Sequence, residues 1–468
     1  MTNHTIHFGT SGWRGIIAED FTFPGVRRAS KAIAGYLRAH TKAPVVIIGY
    51  DTRFFSEEFA RASGAVLRSD GCRVLLCSAP TPTPAIAHAI IHRKIDGGVN
   101  ITASHNPAQY NGLKFSGSDG GPALPEVTKD LEKRAAKLED GPGQHQETED
   151  TFERIDPREA YFEQLRRMIR FDVLRKAKGN FVCDAVHGCG AGWLDRILGE
   201  TGLTVTCIRA NRDVLFDGTG PDPSEENLTA LKTAVREKGA LAGLATDGDA
   251  DRFGIVDRDG AFVSPNHILA LVFDYLLETR GYKLGASRSV ATTHLIDAVA
   301  KLHGVKVYET PVGFKYVGPL LRDDKIALGG EESAGMTIRG HLPEKDGILA
   351  CLLVGEMIAA RQASLSDQLR DLFRRVGGEF WPVRENLHLS EDVQAKLPNR
   401  LKGEFKKFAG HRVSRTDRTD GLKLILDDDS WILMRLSGTE PIVRVYAEAA
   451  TPAASKNLAE QARKWVSQ

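Results

Sequence analysis

The sequence predicts an α/β protein of several domains: three similar α/β units with helices on the sheet faces, then a C-terminal α+β module with an antiparallel sheet. Three observations carry this. At 468 residues the chain is longer than one ordinary core can organise, and three or four domains are expected. Short apolar runs alternate with helical patterns in one layout that recurs three times. The last region changes character, to short strands joined by tight polar turns.

The repeated layout opens with "VVIIGYDTRFFSEEFARASGAVLRSDGCRVLLC" from Val45, "FVCDAVHGCGAGWLDRILGETGLTVTCI" from Phe181 and "SVATTHLIDAVAKLHGVKVYET" from Ser289. Each is an apolar run, a polar turn, a helical pattern, a glycine near its end and a second apolar run. A further helical stretch follows each copy, from Thr83, Thr229 and Phe314, and then another apolar run: "GGVNIT", "ALAGLAT" and "KIALGG". Directly after these runs stand "ASHNP", "DGDADR" and "EESAG". Three unusual polar loops thus hold equivalent places, and in open α/β sheets ligands gather at the carboxyl ends of strands.

Boundaries follow from composition. The stretch 135–157 is charged, Gly/Pro-bearing and poor in apolar residues, as a linker is, and 256–267 reads as a turn-rich crossing. Residues 421–449 read as three strands with short turns, followed by a helix to the end. Four domains are therefore expected over 1–150, 151–257, 258–370 and 371–468.

Bulk properties narrow the function classes. The net charge is +1 without a Lys/Arg block or a basic stripe with aromatics, so neither nucleic acid nor a membrane surface is an expected partner. The six cysteines lack CxxC or Cys/His spacing, which suits free, mostly buried thiols in a reducing compartment. The opening residues lack a signal-peptide pattern, and the longest apolar run, from Ile348, carries Glu356 and reads as a buried helix. A cytoplasmic location is expected. Oligomeric state is open between monomer and homodimer.

Chemistry concentrates in the loops. "TDGDADRFG" sets Asp247, Asp249 and Asp251 at alternate positions, which share one face in an extended backbone. Hard cations such as Mg²⁺ take carboxylate oxygens, and three close carboxylates repel unless a cation offsets them. An EF-hand would need an acid at the twelfth loop position, where Arg258 stands. A solvated acidic turn is the remaining alternative. In "ITASHNPAQYNGLK", Ser104 needs a base, a lowered pKa or a metal to act as a nucleophile. The His105 side chain would point away from Ser104 in extended backbone, so a positioning role suits it better, although a turn would alter this. "GGEESAG" pairs Glu331 with Ser333, which suits vicinal sugar hydroxyls; a helix N-terminus with first-turn acids fits the same string. "RLSGTEPIVR" places Arg435, Ser437, Gly438, Thr439 and Arg444 in a hairpin that can cradle phosphate, although many hairpins contain Ser-Gly.

Taken in order, TASHNP, DGDADR, GEESAG and RLSGTEP, with "FGTSGWRG" near the start, resemble the α-D-phosphohexomutase family over the whole chain. The resemblance implies three mixed-sheet α/β/α domains and a smaller fourth domain around one central cleft. It implies that Ser104 carries a phosphoryl group, that Ser104 with Asp247, Asp249 and Asp251 holds Mg²⁺, and that a hexose 1,6-bisphosphate acts as intermediate and activator. Arg14 and Lys114 fall at its acid–base positions, with His105 in support. Arg252, Thr310, Gly313, Lys315, Glu331, Ser333 and Lys345 fall at its substrate-binding positions, and Arg435, Ser437, Gly438, Thr439 and Arg444 at its phosphate loop. The substrate implied is a small sugar phosphate. The loop "GEESAG" resembles the phosphoglucomutase form, since other forms carry Met or Gln at Glu332 and His at Gly335. A phosphomannomutase or dual-specificity enzyme, and a metal-dependent sugar phosphatase, are the alternatives.

Overall fold

The structure is a computed structural model that describes residues 5–9, 12–138, 152–437 and 442–467. The chain forms two compact units. One comprises Met1–Pro265, Gly318–Asp323 and Ser333–Leu365; the other comprises Asn266–Val317, Asp324–Glu332 and Ser366–Gln468.

In the first unit, strands β1 (Trp13–Ile16), β2 (Val45–Tyr50), β3 (Arg73–Cys77), β4 (Gly97–Ile101), β5 (Tyr110–Gly117) and β6 (Glu153–Ile155) form a sheet ordered β1-β5-β4-β2-β3-β6. β2 pairs in parallel with β3 and β4, and β5 returns antiparallel to β4. The run VVIIGY of β2 is apolar on both faces because helices cover both, as a central parallel strand requires. The helix Phe23–His40 begins where the Thr22 hydroxyl accepts the Gly25 N–H, and its apolar face closes the largest core of this sheet. A second sheet, ordered β11-β10-β9-β7-β8, contains β7 (Asn180–Asp184), β8 (Thr204–Ile208), β9 (Ala242–Thr246), β10 (Phe253–Asp257) and β11 (Phe262–Val263). Here β7 pairs in parallel with β8 and β9, and β10 returns antiparallel.

In the second unit, β12 (Gly285–Ser289) pairs in parallel with β13 (Val307–Thr310) and β14 (Ile326–Glu331). β15 (Gly335–Ile338) follows in the chain and belongs to the first unit. The second strand of each copy lies at one side of the first, and the third strand at the other, so the three-fold layout holds in three dimensions. In the third copy the first strand is corrected: β12 is GASRS, Gly285–Ser289, and the run expected from Ser289 shares only its first residue with it, because small and polar residues form the strand there. After each third strand comes a loop with one left-handed non-glycine residue: Ser104 (φ 55°), Ala250 (φ 56°) and Ala334 (φ 68°).

The C-terminal module has β16 (Trp381–His388), β17 (Lys407–Phe408), β18 (His411–Asp417), β19 (Leu422–Leu426), β20 (Trp431–Leu436) and β21 (Ile442–Ala449), ordered β16-β21-β20-β19-β18-β17. The three expected strands are β19 to β21; three more extend the sheet at its edges. β16 and β18 carry charged side chains on partly exposed faces, so neither shows as an apolar run. The helices Glu391–Arg400 and Pro452–Val466 supply side chains to this module's core. All six cysteines are free thiols. Among the described residues no single helix is long and apolar enough to cross a membrane.

Candidate active site

β4 delivers the chain into Thr102–Ser104, where the backbone turns left-handed. The Ser104 N–H donates to Thr102 Oγ1 at 2.8 Å. The Ser104 hydroxyl donates to Asp247 Oδ2 at 2.6 Å, and His105 Nδ1 lies 3.3 Å from the same hydroxyl oxygen. The expectation that His105 points away from Ser104 is corrected here: extended geometry would separate neighbours, but the left-handed residue folds them together. Ser104 is also buried, 1% exposed, despite its polar surroundings.

The three aspartates follow β9. They converge through a tight turn, not through an extended backbone: the Ala250 N–H donates to the Asp247 carbonyl, Ala250 is left-handed, and Asp247 Oδ1 accepts the Arg252 N–H at 3.0 Å. One carboxylate oxygen of each lies within 4.8 Å of the others, and all three residues are buried. Gly248 allows this loop to meet the serine loop, since a Cβ there would stand 2.6 Å from the Ser104 carbonyl oxygen.

Two lysines enter the cluster. Lys114, on β5, donates to Asp249 Oδ2 at 2.5 Å and to Asp251 Oδ2 at 2.8 Å. Lys345 Nζ lies 3.1 Å from Asp251 Oδ2 and 3.0 Å from Glu344 Oε1. Its stem crosses the space over Gly335, where a Cβ would come 2.3 Å from Lys345 Cδ. Arg14 reaches the serine loop by donating to Asn106 Oδ1 at 2.5 Å. Burial and neighbouring Arg252 pull the Arg14 guanidinium down to about 10, which leaves it charged at neutral pH.

The electrostatics follow from burial. Desolvation, with the negative charges of Asp249 and Asp251, pushes the Asp247 carboxyl well up. Desolvation also raises Asp249 and Asp251, but the cations outweigh it and both end below the usual carboxylate range. Lys114 is the cation at Asp249, and Lys114, Lys345 and Arg252 act at Asp251. Asp249 Oδ1 and Asp251 Oδ1 are buried without a hydrogen-bond partner among the described residues. Buried carboxylate oxygens normally find one, so this donor set fits a hard divalent cation.

In the second unit, Glu331 Oε1 accepts the Gly313 N–H at 2.6 Å, while neighbouring Val312 N–H donates to Asp420 Oδ2 at 3.0 Å. Asp420 Oδ2 is 2.8 Å from Arg435 Nε. The expected sugar and phosphate residues of this unit are therefore linked through 312–313. Thr310 ends β13, and Lys315 lies in the short turn Phe314–Tyr316. Arg435 and Arg444 face each other directly across β20 and β21, an arrangement of like charges that favours an anion between them. Ser437 closes this hairpin by donating its N–H to the Ile442 carbonyl, and Gly438 and Thr439 lie outside the described residues. Ser333, half-buried, belongs to the first unit.

Several participants had no sequence signal. Thr83 donates to Asp249 Oδ2 at 2.5 Å and accepts from Asn100 at 2.7 Å, from a helix start and a strand far from the aspartates in sequence. Glu344 and Asp420 likewise gain roles only by partners.

Models of the phosphoglucomutase/phosphomannomutase family match this chain throughout. The alpha/beta/alpha domains I, II and III cover residues 5–141, 159–260 and 264–376, and the C-terminal domain covers 390–464. The phosphoglucomutase/phosphomannomutase of Thermococcus kodakarensis is 32% identical over 94% of each chain. A probable phosphoglucosamine mutase of Methanopyrus kandleri is 31% identical over 97% of this chain and 96% of its own. A crystal structure of a Thermus thermophilus protein assigned as a phosphomannomutase superposes with TM-score 0.87 at 34% identity, covering 99% of each chain. The chain belongs to the phosphoglucomutase/phosphomannomutase family of phosphohexomutases, isomerases that act by intramolecular phosphoryl transfer.

Proposed function

We propose that the chain interconverts hexose 1-phosphate and hexose 6-phosphate, glucose foremost, with Ser104 as phosphoryl carrier and a bisphosphorylated sugar between the half-reactions. The observation that carries this is the Ser104 hydroxyl on Asp247 at 2.6 Å, within a buried group of three aspartates that retains unused oxygens. In the first half-reaction the bond from phosphorus to Ser104 Oγ breaks and one to a sugar hydroxyl forms. The hydroxyl loses its proton and Ser104 regains one. The second half-reaction reverses this at the other sugar oxygen.

The family is generally Mg²⁺-dependent. Asp247, Asp249, Asp251 and the phosphorylated Ser104 would hold the ion, which would neutralise charge on the transferring group. Lys114 and Arg14 are the cations that serve proton movement and charge stabilisation at the reacting oxygens, with His105 orienting Ser104. Arg252, Thr310, Gly313, Lys315, Glu331, Ser333 and Lys345 bind the sugar phosphate. Arg435, Ser437, Gly438, Thr439 and Arg444 take the non-reacting phosphate. Glucose is favoured by Glu332 and Gly335 in "GEESAG", whereas relatives that carry the name phosphoglucosamine mutase make glucosamine phosphate the comparison that matters.

The test is a coupled assay with glucose, mannose and glucosamine 1-phosphates, each with a trace of its 1,6-bisphosphate. The expected result is 6-phosphate formation with the highest kcat/KM on glucose, lost on chelation and restored by Mg²⁺. Release of inorganic phosphate without isomer would make the protein a phosphatase instead.

A further inference from the structure

Arg53 stands just after β2, and its side chain is fully enclosed. A guanidinium has five N–H donors in a rigid plane. All five are used here. Nε donates to Asp51 Oδ2 at 3.1 Å. Nη1 donates to the carbonyls of Pro107 at 2.8 Å and Tyr110 at 2.9 Å. Nη2 donates to the carbonyls of Ser104 at 2.7 Å and Asn106 at 2.6 Å. One buried cation therefore gathers four carbonyls of the loop that carries Ser104.

Asp51 completes a frame. It accepts from the Arg53 N–H at 3.0 Å, from Ser56 Oγ at 2.7 Å and from Thr102 Oγ1 at 2.6 Å. Thr102 Oγ1 in turn accepts the Ser104 N–H at 2.8 Å. Both backbone polar groups of Ser104 are thus held, the N–H through Thr102 and the carbonyl by Arg53. Arg212 anchors the arginine's own backbone, donating to the carbonyls of Thr52 at 3.0 Å and Arg53 at 3.2 Å. The Arg53 guanidinium also lies 5.2 Å from the Phe216 ring centroid.

This frame faces a specific difficulty. A serine at φ 55° is in a region that non-glycine residues avoid, and such a conformation persists only where the surroundings over-determine it. The same angle directs Oγ onto Asp247. We propose that Arg53, acting through Asp51 and Thr102, is a positioning residue for phosphoryl transfer: it fixes the left-handed backbone of Ser104 and thereby the direction of its Oγ, without touching the transferring group. This rests on the reading of Ser104 as phosphoryl carrier. Lysine cannot replace the arginine, because a point ammonium with three rotatable donors cannot hold four carbonyls and a carboxylate in one plane.

The experiment uses the full-length protein, Mg²⁺ and glucose 1,6-bisphosphate as phosphoryl donor. Intact mass gives the fraction of enzyme that takes a phosphoryl group, and rapid quench gives the transfer rate per phosphorylatable site. For Arg53→Lys the rate per site is expected to fall by about 30-fold or more with KM within about 3-fold, since alignment is lost and binding contacts remain. Thr102→Val removes the acceptor of the Ser104 N–H and one donor to Asp51 while keeping the Arg53 side chain, and the same pattern at about 5- to 10-fold is expected. This variant decides the matter if Arg53→Lys does not fold. An unchanged rate per site, with only the phosphorylatable fraction reduced, overturns the proposal and leaves Arg53 a structural residue. If the wild type itself takes no phosphoryl group on Ser104, the carrier reading falls, and the inference built on it falls too.

Discussion

A serine hydroxyl is a weak nucleophile at neutral pH, so the carrier role proposed for Ser104 depends on its surroundings. Its Oγ hydrogen bond to Asp247 and its proximity to His105 place it in a buried group of ionisable side chains. Replacing it with alanine removes the proposed phosphoryl acceptor and one buried hydrogen bond. For Ser104→Ala we expect turnover to fall by about 10³-fold or more, and the mass increment of one phosphoryl group to vanish. The lost hydrogen bond is worth about 1 kcal/mol, so the melting temperature should drop by only about 2–4 °C. Activity close to wild type in this variant would contradict the carrier role. At this scale residue types were readable from the sequence and their directions were not. Ser104, the aspartates and Lys114 stood in recognisable strings, but their convergence depends on two left-handed residues, Ser104 and Ala250. Neither is a glycine, so no residue type announced the turns.

Among the elements, β2, β9 and β14 were visible because strands covered on both faces are continuous apolar runs, whereas β12, with the sequence GASRS, is built of small and polar residues and carries no such signal. β16 was hidden because an edge strand alternates exposed charge with half-buried positions, and β18, flanked on its outer side only by the two-residue β17, is exposed in the same way. Lys423 shows what such patterns miss. It lies on β19 with its side chain 1% exposed, inside a stretch that reads as a plain strand. Its Nζ donates to the Val290 carbonyl at 2.7 Å, lies 2.9 Å from His294 Nε2 and sits 4.2 Å from the Trp431 ring centroid. Burial, with Arg288 adding to it, pulls the ammonium down to about 8. An unfolded lysine titrates near 10.4, so between these values the unfolded chain binds a proton that the folded chain does not. Stability contributed by this site therefore rises with pH from about 8 to about 10, by at most about 3 kcal/mol. Below pH 8 both states are protonated and the burial penalty is present in full. Thermal melts of the wild type and Lys423→Met at pH 7.5 and 9.5 test this. The difference between them should move in favour of the wild type as pH rises, and a constant or opposite difference would show that burial does not lower the Lys423 ammonium.

For the whole molecule, composition and length indicated several α/β modules, but not how modules group, because grouping depends on surfaces brought together from distant parts of the chain. The segment between β12 and β15 contributes to both compact units. The metal-binding assignment makes a distinct demand on this organisation. Asp247, Asp249 and Asp251 all belong to the first unit, as do Ser104, Lys114 and Lys345. A ligand that binds only the folded form stabilises what it binds, by about 2.7 kcal/mol at a concentration 100 times its dissociation constant. Mg²⁺ should therefore slow hydrogen exchange in the first unit, most clearly in residues 102–107 and 247–253. Where exchange requires opening of the site, the slowing should approach about 100-fold at that concentration. Residues 422–436 of β19 and β20 should change much less. Asp249→Asn should weaken the effect, because Asp249 Oδ1 is one of the two oxygens of this aspartate cluster that are buried without a partner among the described residues. Arg435→Ala should leave it intact while raising KM for 1-phosphate and 6-phosphate alike. Protection that appears equally in both units, or that persists in Asp249→Asn, would place the ion elsewhere. Protection confined to the first unit and lost with Asp249 would tie the cation to the carboxylates on which the Ser104 hydroxyl rests.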